Sequence, residues 1–121
     1  MKKGILVIIA SVLLIVSCSK SSDSTGGGGG GGSTLNCTGV PNKFAADVNP
    51  IIQSTCATDA SCHGSGSANG PGPLQTYSQI SNAKTTIRTA VAAGTMPKTG
   101  ALTTAQKNSI LCWIDSGAQN N

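Results

Sequence analysis

Aromatic residues are nearly missing: one Phe, one Tyr and one Trp stand in 121 residues. So few large side chains leave a thin core for the 87 residues from Leu35 to Asn121. A single domain of that size is already marginal, which favours a covalent staple, a bound cofactor or both. Charge is also scarce, with eight basic and four acidic residues. Setting aside Lys2 and Lys3 leaves six basic against four acidic, too weak a balance for nucleic acid binding. No pair of carboxylates suggests hydrolytic chemistry, and no Gly-rich phosphate loop follows a strand. No segment alternates apolar and polar residues with period two, so little strand is expected. Histidine occurs once, as His63, and methionine once beyond the initiator, as Met96.

No apolar run reaches the roughly 20 residues that span a bilayer. The nearest is Ile5 to Val16, twelve positions broken by Ser11 and preceded by Lys2 and Lys3. That pattern is an export signal. It ends at "IVSC", Ile15 to Cys18, which resembles the lipobox of bacterial lipoproteins. The resemblance implies a signal peptide over 1–17, lipid on Cys18 and a chain anchored to a membrane of the cell envelope, on its periplasmic side or at the cell surface. An ordinary cleaved signal is the alternative, and either places the chain outside the cytoplasm. Residues 18–34 then form a tether. Seven consecutive glycines, Gly26 to Gly32, have no side chains to bury and the most backbone entropy to lose. The 18 residues from Ser19 to Asn36 give a root-mean-square reach of about 21–25 Å.

Cys37, Cys56, Cys62 and Cys112 remain for the exported domain, 35–121. Thiols outside the cytoplasm are oxidised to disulfides or held by a cofactor. Four cysteines allow three pairings, or one disulfide plus two thioethers to haem.

Three stretches have helical spacing. Phe44, Val48, Ile51, Ile52 and Thr55 share one face, and Pro50 either kinks this helix or opens a shorter one. In "TYSQISNAKTTIRTAVAAG", Tyr77, Ile80, Ile87 and Val91 repeat, with Gly94 as the residue after the end. In "LTTAQKNSILCWIDSGA", Thr103 and Gln106 form a capping box, Ile110, Trp113 and Ile114 make the stripe, and Gly117 ends it. Between them lie two loops, "HGSGSANGPGPLQ" and "GTMPKTGA". The predicted fold class is all-α.

The first helix runs into "CATDASCHG", Cys56 to Gly64. A c-type haem site reads C-x-x-C-H. Here five residues separate the cysteines, and the second is followed by the only histidine. In order, a helix with "NPII", the cysteines with "CHG", a Gly/Pro-rich loop, a middle helix, an "MP" loop and a last helix reading "ILCWIDSGA" resemble the small class I cytochrome c domains of bacterial lipoproteins. The resemblance spans Phe44 to Ala118. It implies a small cytochrome c-like fold, three main helices around a haem pocket with long Gly/Pro-rich loops.

Carried over residue by residue, the resemblance implies haem c bound covalently through Cys56 and Cys62. His63 would be the proximal and Met96 the distal ligand of the iron, with Pro97 holding the methionine loop and Trp113 packing against Phe44. It leaves Cys37 and Cys112 for a disulfide. With both axial positions filled by protein, the iron would pass single electrons to and from redox protein partners rather than act on a substrate, so the chain is expected not to be an enzyme. The departure is the spacing. Cysteines three apart span about one helical turn, whereas Cys56 and Cys62 are six apart, so Ala57 to Ser61 must bulge or add a turn.

Other readings of these residues stand beside this one. A haem-free envelope lipoprotein, stapled by two disulfides, would act as a binding or structural module. His63, Met96 and a cysteine could hold copper. A haem with Met96 displaced would leave an open iron suited to catalysis or sensing. Lys43, Lys84, Lys98 and Lys107 are either a docking face for an acidic redox partner or plain solvated surface.

Overall fold

Pro50 decides how the first helix begins. A computed structural model of the chain describes residues 35–121. The expected signal peptide, the lipidated Cys18 and the glycine tether lie outside the described residues. The chain turns helical at Phe44 through a π-helical turn, Phe44–Val48, in which the Val48 amide reaches back to the Lys43 carbonyl at 3.1 Å and the Asn49 amide to that of Phe44. Helix α1, Asn49–Thr55, follows directly, with Pro50 in its first turn. A proline inside an α-helix collides with the carbonyl four residues behind it. The wider π turn sits where that collision would fall. The helical path is thus continuous and Pro50 still occupies a first turn, so the two expected alternatives merge.

The opening amides of this segment have no intrahelical partners. Asn121 supplies them: its side-chain oxygen accepts from the Phe44 amide at 2.8 Å and its backbone oxygen from the Ala45 amide at 2.9 Å. Phe44, Val48 and Ile52 all point into the core.

The expected middle helix is two helices. Helix α2, Tyr77–Asn82, and helix α3, Lys84–Ala93, meet at Ala83, whose ψ of 0° leaves the helical region. Ser81 and Asn82 are poor helix formers because their side chains compete for backbone partners, which is why the break falls after them. Thr76 and Gln79 cap α2 with a reciprocal capping box. Gly94 ends α3 at φ +68°, the left-handed conformation expected of the residue after a helix.

Helix α4, Thr104–Asp115, starts at the Thr103/Gln106 capping box. Its residues Ser109 to Trp113 are buried in an unbroken run. Five successive buried positions go most of the way round a helix, so α4 is covered on several sides rather than along one stripe. It packs against both the π turn and α3. Ile114, expected in the stripe, is only half-buried. Trp113 lies 5.3 Å from Phe44 between ring centroids, and Phe44 meets Tyr77 edge-on at 5.0 Å. The polar tips of both larger rings are satisfied: Trp113 Nε1 donates to the Gln119 carbonyl at 2.8 Å and Tyr77 Oη to that of Ala118 at 2.9 Å.

Cys112, fully buried on α4, is disulfide-bonded to Cys37 with 5.5 Å between Cα atoms. Cys56 and Cys62 are free thiols. The described residues contain no strand, and the fold class is all-α. Among them no helix is long and apolar enough to cross a membrane.

Candidate functional site

Helix α1 ends at the loop that carries Cys56 and Cys62. The Cys56 and Ala57 amides both donate to the Ile52 carbonyl at 2.9 Å, closing the last turn and stopping the helix. The chain then leaves the helix axis through Thr58, Asp59, Ala60 and Ser61, all exposed, and returns at Cys62. Its two ends are tied, because the His63 amide donates to the Cys56 carbonyl at 2.9 Å. The five-residue spacer is therefore an outward excursion with a closed base, while Ala57 turns inward and joins the core.

His63 sits at the base. Only 8% of its surface is exposed. Its Nδ1 is 3.1 Å from the Gly72 carbonyl oxygen. A carbonyl accepts only, so Nδ1 carries a proton, and in the neutral ring the lone pair is therefore on Nε2. This hydrogen bond fixes the ring direction, as outer-shell partners of histidine ligands do. Gly70 lies against the other side of the ring, where a Cβ would come within 3.6 Å of Cε1.

The long loop after His63 is organised around this residue. The Leu74 amide donates to the His63 carbonyl at 2.8 Å, and Gln53 Nε2 on α1 donates to the Leu74 carbonyl at 2.9 Å. Buried Ser67 donates its hydroxyl to the Cys62 carbonyl, and Asn69 Nδ2 donates to that of Ser61 at 2.8 Å. Composition marks "HGSGSANGPGPLQ" as a loop but does not reveal that Ser67, Asn69 and Gly72 brace the histidine. Only the fold brings their partners within reach.

Two adjoining hollows open over His63. The inner one has a volume of about 120 Å³ and is walled by Ile52, Leu74, Ile87, Val91 and Ile110. The outer one has a volume of about 450 Å³ and is bordered by Ser61, Cys62, Asn69, Pro97, Lys98 and Thr99. Cys56, His63, Gly70 and Met96 line both. The four residues singled out from sequence thus converge: Cys56, Cys62, His63 and Met96 all border the outer hollow. Met96 is half-buried and reaches the cleft from the "GTMPKTGA" loop. The arrangement is a largely apolar cleft with one directed nitrogen, one thioether and two thiols at its mouth, within the size range of small-molecule and cofactor sites.

The Cys56 thiol is pushed up from its ordinary value, chiefly by burial. Its contact with Thr55 Oγ1 opposes this and the neighbouring Cys62 adds to it. It is therefore a neutral thiol at neutral pH. Asp59 in the excursion is held below the usual carboxylate range, first by the Ser61 hydroxyl and then by the Ser61 amide. No cluster of three or more His, Cys, Asp and Glu side chains arranged for a metal ion occurs among the described residues. Lys43, Lys84 and Lys98 are exposed, whereas Lys107 is half-buried and donates Nζ to the Ala92 carbonyl at the end of α3. Compared with known proteins, the chain matches no family model, no curated protein and no solved structure.

Proposed function

We propose that the domain has a small cytochrome c-like fold, holds one c-type haem in this cleft and carries single electrons outside the cytoplasm, tethered to a membrane of the cell envelope through lipid on Cys18. The observation that carries this is His63: a buried imidazole at the floor of an apolar cleft, its Nδ1 proton committed to Gly72, its Nε2 lone pair free. A histidine placed only for packing has no need of a cleft with a thioether on its border.

The residues present fit the group. His63 and Met96 would hold the iron, Cys56 and Cys62 would attach the ring edge, and Ile52, Leu74, Ile87, Val91 and Ile110 would cover its apolar body. When bound, such an iron with imidazole and thioether ligands supplies one-electron exchange at a raised potential. The chain's own part is to place, bury and tune. Gly72 orients His63, and the aliphatic wall would keep water from the iron. Held by both His63 and Met96, the iron would have no place left for a substrate, so the proposal is a carrier serving redox protein partners and not an enzyme.

The test uses the full chain made in a host with a c-type haem maturation system. The protein is denatured, free haem removed, and the mass and reduced pyridine-haem spectrum recorded. A haem mass still attached with a haem c spectrum is expected. A mass equal to the bare chain with two disulfides would replace the reading with the haem-free lipoprotein, a binding or structural module. Met96→Ala tests the distal position: the variant should turn high-spin and bind carbon monoxide, whereas an unchanged low-spin spectrum would remove Met96 from the ligand set.

A further inference from the structure

The five residues between Cys56 and Cys62 are more than spare length. Asp59 stands at their middle and receives most of the loop's hydrogen bonds. Its Oδ1 accepts from the Ser61 amide at 2.8 Å, from the Ser61 hydroxyl at 2.5 Å and from the Cys62 amide at 3.1 Å. Its backbone carbonyl accepts from the Cys62 amide at 3.1 Å and the Gly64 amide at 2.7 Å. Side chain and main chain of one residue thus take hold of the returning strand on both sides of His63.

Gly64 fits from the opposite side. A Cβ there would stand 2.7 Å from the Asp59 carbonyl carbon and oxygen and 2.8 Å from its Cα. Those are backbone atoms, which cannot swing away as a flexible side-chain tip would. Gly64 is needed for close approach, and what approaches is Asp59.

We propose that Asp59 is the positioning residue of the attachment loop, folding the five-residue excursion back so that Cys62 and His63 return beside Cys56 as one unit. In a C-x-x-C-H segment a helical turn would bring the cysteines together. Here the Asp59 turn does so, and the consequence for attachment rests on the haem reading above. Each thiol would attach by adding its S–H across a vinyl C=C: an S–C and a C–H bond form, the S–H and the π bond are lost, and nothing is oxidised or reduced. Two attachments at fixed vinyl positions require both sulfurs in place together.

The variants are Asp59→Ala, Asp59→Asn and Gly64→Ala. Asn keeps an acceptor oxygen at the same place, whereas Ala removes it. The first readout is the number of thioethers on the full chain from the haem maturation host, taken from the pyridine-haem band position and the peptide mass. Wild type and Asp59→Asn should carry two, and Asp59→Ala and Gly64→Ala a substantial fraction with one.

The second readout needs no haem. In the full chain with Cys18→Ser, the Cys56 and Cys62 thiols are equilibrated with oxidised glutathione. The two thiols give up two hydrogens and close a disulfide, and each glutathione disulfide becomes two thiols. Asp59→Ala and Gly64→Ala should lower that equilibrium constant about tenfold or more, with Asp59→Asn within about threefold of wild type. Circular dichroism of each variant confirms that the helices remain. Wild type without haem would end the haem reading and leave the glutathione equilibrium to decide the role of Asp59. Asp59→Ala equal to wild type in that equilibrium would overturn the inference, with or without haem.

Discussion

Replacing Cys37 by serine should lower the melting temperature by about 18–36 °C. Cys37 is half-buried in the segment ahead of the first helix, and its partner Cys112 lies at the centre of α4. The substitution removes the bridge at its outer end and leaves a buried thiol on α4, which behaves as a small apolar side chain, so the core is scarcely altered. What changes is the unfolded chain. The bridge spans a sequence separation of 75 residues. The chain-entropy relation gives about 4.5 kcal/mol for a closed loop of that length. For a domain of this size each kcal/mol moves the midpoint by about 4–8 °C, which sets the expected range. The assay is thermal unfolding of the wild type and Cys37→Ser at equal haem content, with a urea titration to compare midpoint and slope. A shift below about 5 °C would refute the reasoning. It would mean that the unfolded chain already keeps its ends close, or that the segment before Phe44 detaches without disturbing the rest.

Three further outcomes are expected. Ile110→Ala removes a fully buried side chain that also walls the inner hollow, and should cost about 2–5 kcal/mol in chemical denaturation. Thr76→Ala removes half of the capping box on α2 and should cost about 1 kcal/mol, with faster amide exchange at Gln79, whose amide donates to the lost hydroxyl. Asp115 is held below its ordinary carboxylate value, first by its hydrogen bond with Arg88. Its pKa is lower folded than unfolded, so its stabilisation is present above the unfolded value and fades as pH falls through the folded one. A small stability difference between Arg88→Ala and wild type should therefore be measurable at neutral pH and vanish on acidification below the ordinary aspartate range. A difference that persists in acid would point to lost packing of the arginine stem instead.

The helical segments could be read because their signals are local. Thr103 with Gln106 and Gly94 act through neighbours three or four residues away, so sequence spacing carries the information. Thr76 with Gln79 has the same spacing, a capping box not among those expected above. The split at Ala83 was not visible, because Tyr77, Ile80, Ile87 and Val91 hold their helical spacing across it and burial rewards that spacing whether or not the backbone pauses. The burial of Ser109 was also hidden: a polar residue beside an apolar stripe reads as surface until the Phe44–Val48 turn and α3 are known to lie on different sides of α4. For the site, Cys56, Cys62, His63 and Met96 stood out as rare residue types in a poor composition. Their supports did not, since Asp59, Ser67, Asn69 and Gly72 are ordinary loop residues whose roles depend on where the loop comes back.

The cap that Asn121 places on the first helix has a consequence for biogenesis. The Phe44 and Ala45 amides find their partners on a residue 77 and 76 positions further along. A chain made from its N-terminus presents "CATDASCHG" long before Asn121 and Cys112 arrive. The helix leading into the cysteines is unsealed during that interval, and α4, which supplies Ile110 to the cleft wall, is still absent. An assembly factor acting on the emerging chain would meet an accessible loop, and the last stretch of the sequence would then shut the compartment behind it.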